Sequence, residues 1–166
     1  MNRARNCDSA NITKTVEASI KQRKAIEYLK KAIEENAHNG NAYYKLAVCY
    51  YSMEDNVAAI ATLRKQLAYN DSDIMSHLFL GELLAQGGEY KEAYEHLMPY
   101  AKASVFDEVA SVALADACIG LERYDEVVQL LEEFIVKFPS ESDLYWSMIL
   151  ACIYSGRFAD ADEWML

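Results

Sequence analysis

The chain has 166 residues, 52% apolar and 25% charged, with only two prolines and six glycines. That length supports one domain with a sizeable core, and the scarcity of breakers favours helix. A formal net charge of −10 argues against nucleic acid, whose phosphates demand a basic face.

The charge is unevenly spread. Residues 1–39 hold eight Lys/Arg against five Asp/Glu, whereas residues 40–166 hold eight against twenty-one. An acidic body with a mildly basic leading segment suits a basic or neutral partner, or simply a solvated acidic surface. Residues 1–12 are polar, without periodicity, and are expected to be loose. No apolar run follows the basic residues of the N-terminus, so a secretion signal is not expected, nor a membrane span. A cytoplasmic or nuclear location follows as the expectation.

Residues 13–39 read as an N-terminal helix, either a cap or an eroded half-repeat. Ile26, Leu29 and Ile33, with Ala25 and Ala32, make its apolar face. The Asn36–Asn41 stretch is a turn, with Gly40 a helix stop. Residues 40–73 carry Tyr43, Leu46, Ala47 and Tyr50 on a first helical stripe, and Ala59 and Leu63 on a second. In residues 74–107 the stripe is His77, Leu80, Gly81 and Leu84; Gly87 and Gly88 break it; Tyr90, Ala93 and Leu97 begin the next. Small residues at Gly81 and Ala93 would let two helix backbones approach. Pro99 should kink or shorten the second helix. Residues 108–141 repeat the pattern with Leu114, Ala115, Cys118, Tyr124, Val127 and Leu131, closed by Pro139. Residues 142–166 begin a fourth unit with Tyr145, Met148, Cys152, Gly156, Phe158 and Ala161. The closing Ala161–Leu166 stretch is more apolar than a solvated cap, so this end is expected to meet a partner, a second copy as a homodimer, or further chain.

The spacing large–x2–Leu–small–x2–Tyr, then Tyr or Phe, Ala and a large apolar residue, recurs every 34 residues over 40–166. It resembles the tetratricopeptide repeat in divergent form: Trp is absent from the motif's first position, and the motif proline occurs once. The resemblance implies an all-α, right-handed α-α superhelix, a solenoid of antiparallel hairpins with a concave groove lined by the first helices. In that phase the groove carries Asn41, Tyr44, Val48 and Tyr51, then Met75, Leu78 and Glu82, then Val112, Asp116 and Ile119, then Trp146 and Leu150. Such a lining suits an amphipathic helix or peptide with apolar anchors and a Lys or Arg, or residues 13–36 of the same or another chain. Members that clamp a chaperone's terminal carboxylate use cations on the groove. Here those places hold Tyr44, Val48, Phe79, Val109 and Ala113, which argues against that subtype.

No catalytic constellation is visible. His38 lies in a turn, His77 at a packing position and His96 on a helix, with no nucleophile beside them. No CxxC or HExxH spacing points to a metal, and no cofactor motif is present. Cys49, Cys118 and Cys152 sit mid-stripe as small apolar residues. The leading expectation is a non-catalytic scaffold or adaptor binding protein or peptide. The alternatives are chaperone-like shielding of a partner helix, and a subunit piece of a larger assembly; Leu46–Tyr51 is similar to repeats in subunits of the anaphase-promoting complex.

Overall fold

The computed structural model describes the backbone from Arg3 to Met165, and side chains at Glu17 and from Ser19 to Met165. Among the described residues all regular structure is helical. The chain divides into two compact units, Met1–Asp71 and Ser72–Leu166.

The first unit holds α1 (Arg3–Glu35), α2 (Gly40–Tyr51) and α3 (Asn56–Tyr69). Helix α1 begins well before residue 13, so the loose stretch expected over residues 1–12 is largely helical backbone. The physical reason is that no glycine or proline interrupts residues 3–35. Helix α1 packs on α2, and α2 pairs with α3. Ile26 is the buried anchor of α1. Lys30 lies over the ring of Tyr50 at 5.8 Å, and Gln22 donates to Ser52 Oγ at 3.2 Å. Over residues 19–35 one face of α1 is thereby committed to α2, while Ile20, Lys24 and Lys31 are exposed.

The second unit holds α4 (Ile74–Gln86), α5 (Tyr90–Leu97), α6 (Glu108–Gly120), α7 (Tyr124–Lys137), α8 (Ser142–Tyr154) and α9 (Phe158–Trp164). Helices pair as α4 with α5, α6 with α7 and α8 with α9, and α6 also packs on α4 and α8. Pro99 ends α5 early: the helix stops at Leu97 and a 3-10 turn, Met98–Tyr100, follows. The equivalent helix of the next hairpin, α7, runs to 14 residues where α5 has 8.

The hairpins share one register. Their first helices start at Gly40, Ile74, Glu108 and Ser142, and their second helices at Asn56, Tyr90, Tyr124 and Phe158, always 34 residues apart. The small positions follow suit. Ala47, Ala59, Ala93 and Ala115 are wholly buried, and Gly81 is buried. A Cβ on Gly81 would stand 2.5 Å from Leu97 Cγ, so glycine there is what lets Leu97 seat fully. Between neighbouring hairpins of the second unit the seams are specific. Tyr90 fills the space a Cβ on Gly120 would need. Tyr124 stacks on Tyr154 at 5.5 Å. The Tyr94 hydroxyl donates to Glu126 at 2.7 Å, and Arg157 pairs with Asp125 at 2.7 Å.

The turns are periodic too. The residue with left-handed backbone is Glu54 (φ 61°), Gly88 (φ 80°), Glu122 (φ 59°) and Gly156 (φ 78°). Glycine holds this conformation freely, whereas an L side chain costs about 1–2 kcal/mol. Glu54→Gly and Glu122→Gly should therefore each stabilise the chain by roughly 0.5–1 kcal/mol after glycine's greater unfolded freedom is subtracted. Gly88→Ala should destabilise it by about 1 kcal/mol. Thermal or urea unfolding of the four chains checks both signs; no gain at Glu54 and Glu122 would mean that the turn tolerates a side chain without strain.

Candidate functional site

The residues expected to line a groove fall in both units, and six of the twelve line two depressions, one in each unit. In the first unit α1 and α2 frame a shallow, mainly apolar trough of ≈ 720 Å³. Ala25, Tyr28 and Leu29 form one wall and Asn41, Tyr44, Lys45, Val48 and Cys49 the other. Three expected residues, Asn41, Tyr44 and Val48, lie here. Tyr51 is exposed on the same helix.

In the second unit a narrower trough of ≈ 240 Å³ runs between α4 and α6 and reaches the start of α8. Its apolar lining is Ala85, Val109, Val112 and Ala113. Five carboxylates surround that floor: Glu82, Glu108, Asp116, Glu141 and Asp143; no lysine or arginine lines it among the described residues. Three expected residues, Glu82, Val112 and Asp116, meet here. The volume lies below the roughly 300–1,000 Å³ of small-molecule pockets. It suits one or two inserted side chains rather than a substrate.

The other expected residues are dispersed. Met75 and Trp146 are exposed, and Ile119 and Leu150 are half-buried. Leu78 is a correction. It is only 3% exposed, because α4 is apolar around nearly its whole circumference and buries most of its length. It belongs to the core and not to a surface an occupant could touch.

The local sequence explains the acid. Asp73, Asp107 and Glu141 occupy the N-cap positions of α4, α6 and α8, and Glu108 and Asp143 sit in first turns. Asp107 accepts from the Ala110 amide at 3.0 Å. Helix N-termini favour negative charge, so these carboxylates have a structural job. Glu82 and Asp116 have no capping role. They project one repeat apart from α4 and α6. Burial, and then the charge of Asp107, push the Glu82 carboxyl up to about 7. Asp116, although more of it meets solvent, is also raised, first by desolvation in the trough and then by the charge of Asp143. The trough thus concentrates negative potential with no cation of its own to offset it.

Residues with conventional catalytic chemistry are occupied by packing. His77 is 9% exposed, meets His96 through facing Nδ1 atoms at 2.7 Å and packs on Tyr100. Cys118 and Cys152 are buried, and burial, then the charge of Glu126, push the Cys118 thiol up to about 12. Cys49 is half-buried in the apolar trough. Among the described residues no group of three or more His, Cys, Asp or Glu is placed to hold a metal ion, and no helix is long and apolar enough to cross a membrane.

Comparison with known proteins matches the tetratricopeptide repeat family model to residues 23–77, from the middle of α1 to the start of α4. That stretch is similar to the tetratricopeptide repeat. A crystal structure of MamA shares 20% identity over 89% of this chain and 86% of that one, with a TM-score of 0.78. MamA from Desulfovibrio magneticus RS-1 shares 18% over 94% of this chain and 88% of its own, with a TM-score of 0.78. A tetratricopeptide repeat protein from Parabacteroides merdae shares 18% over 93% and 60%, with a TM-score of 0.65. These likenesses show a shared all-α fold of tetratricopeptide hairpins. No curated protein matches the chain. Sequence phase missed Glu108, Glu141 and Asp143 in the acidic trough, and Ala25, Tyr28 and Leu29 in the apolar one. The periodic acids at Asp73, Asp107 and Glu141 were the available signal for the first set.

Glu82 makes the trough sensitive to pH. Folded, its carboxyl holds a proton to about pH 7, against an ordinary value of 4.5. Between those values the folded chain binds more protons than the unfolded one, so stability falls as pH rises through that window and levels above it. Glu82→Gln keeps the neutral form at every pH. It should stabilise the chain at pH 8 by on the order of 1–2 kcal/mol, a figure discounted for partial solvent screening, and have little effect near pH 4. Urea unfolding of both chains from pH 4 to 8 tests this; parallel curves would show that Glu82 titrates normally.

Proposed function

We propose that this chain is a non-catalytic protein-interaction module whose acidic trough seats a helical segment carrying Lys or Arg beside apolar anchors. The single observation behind the reading is the make-up of that trough: five carboxylates around a floor of Ala85, Val109, Val112 and Ala113, with no lining cation. A cationic side chain with an aliphatic stem matches both parts, its methylenes covering the floor and its charge meeting Glu82 and Asp116. Charge complementarity of this kind chiefly sets partner choice and association rate. A carboxylate-bearing or strongly acidic partner is disfavoured by the same field.

The test uses two amphipathic helical peptides with identical leucine anchors, one bearing lysines and the other glutamates at the flanking positions. Fluorescence anisotropy with the full chain should show the lysine peptide binding at least tenfold more tightly, with affinity falling as salt is raised. The pair Glu82→Gln and Asp116→Asn should weaken that binding about tenfold while circular dichroism stays unchanged. Equal binding of the two peptides, or no loss in the double variant, would remove the trough as the site.

A further inference from the structure

The two units differ in charge as well as in place. The first carries eleven Lys/Arg against eight Asp/Glu, and the second carries five against eighteen. The surplus of cations in the first unit is concentrated on α1. Residues 20–31, IKQRKAIEYLKK, hold five Lys/Arg and a single acid, Glu27. The α2-facing side of that stretch is occupied by Gln22, Ile26 and Lys30. Away from those contacts Ile20, Lys24, Tyr28 and Lys31 fall at spacings of four, four and three residues, one continuous stripe of helix, with Tyr28 also bordering the trough between α1 and α2. All four are exposed, Ile20 at 47% and Tyr28 at 71%. An exposed isoleucine and tyrosine alternating with lysines form the kind of helix face that the acidic trough accepts.

We propose that the trough on α4 and α6 of one copy receives the Ile20–Lys24–Tyr28–Lys31 face of α1 from a second copy of this chain. The proposal rests on the reading of the trough as a site for a cationic helix, and supplies its occupant. Tyr28 or Ile20 covers Val112 and Ala113, while Lys24 and Lys31 meet Asp116, Asp143 and Glu82. Donor and acceptor are different surfaces, so the contact is either exchanged reciprocally within a two-fold pair or runs heterologously from copy to copy. The attraction is between solvent-facing charges and is screened when the Debye length contracts from about 10 Å at 0.1 M salt to about 3 Å at 1 M.

The experiment is a charge exchange read by sedimentation of the full-length chain. Wild type at roughly 100 µM, a concentration that reveals micromolar contacts, should self-associate at low salt and revert to monomer in 1 M salt. Lys24→Glu with Lys31→Glu abolishes the donor face, and Asp116→Lys with Asp143→Lys reverses the acceptor. Each double variant alone should lose at least tenfold in self-affinity. Mixed, the two should restore hetero-association, because reversed α1 now faces a reversed trough. Circular dichroism melts confirm that both variants are folded. If either variant fails to fold, Lys24→Gln with Lys31→Gln and Asp116→Asn with Asp143→Asn replace the pair, and each must still weaken association. A monomeric wild type, or association indifferent to both variants, overturns the proposal. If the wild type is monomeric while the lysine peptide still binds, the occupant is a foreign basic helix and only this inference falls; if neither binds, the trough reading falls with it.

Discussion

Close approach of two helices at a small residue is the constraint on which each hairpin depends. Gly81 shows it most directly, since even one added carbon would collide with Leu97. Leu63 and Leu131, at the same register opposite Ala47 and Ala115, are as fully buried as Leu97, so the position demands a small residue, and the closer approach of this hairpin demands glycine. A larger residue at such a position would push the partner helix outward and open voids around the leucine, at a cost of about 1–3 kcal/mol. Everything displayed on the outside of the hairpin would shift with it. The trough carboxylates are carried on α4, α6 and α8, so their spacing is inherited from how tightly those helices are held.

The acidity of the trough has two origins that reinforce each other. Helix N-termini favour negative charge, and Asp73, Asp107 and Glu141 stand at the N-cap positions of α4, α6 and α8, Asp107 also accepting from the Ala110 amide. Of these, Glu141 lines the trough and Asp107 acts on Glu82 through its charge. Glu82 and Asp116 then add charge where no cap requires it, and each is held above its ordinary carboxylate range by its surroundings. An arrangement that makes its own ionisation harder is destabilising in the absence of a cation. That cost is the physical mark separating these two residues from the solvated acids elsewhere on the second unit.

Much of the architecture was readable from periodicity, for a reason visible in particular residues. Gly87-Gly88, Pro99 and the small residues Ala47, Gly81 and Ala115 each act locally, through backbone freedom, a missing amide or a missing methyl. Their effects on turn, helix length and pairing appear where sequence places them. The start of α1 was not readable, because a polar stretch without periodicity gives no apolar signal even when nothing in it breaks a helix. The binding surface was half readable. Helical phase brought Glu82, Val112 and Asp116 to one trough, but phase cannot report depth, and Leu78 has the phase of a lining residue with the burial of a core one. Nor can phase along first helices reveal Glu141 and Asp143, which enter the trough from a helix end.

The equal spacing of helix starts and left-handed turns has an evolutionary corollary. A duplication or loss of one whole 34-residue segment leaves every later side chain on its original face. A gain or loss of a single residue inside a helix turns everything beyond it by about 100° and buries charge where leucine belonged. Length variation among descendants of this chain should therefore come in whole repeats or be confined to the short links between helices, and the gene can grow by copying itself without inventing a new seam.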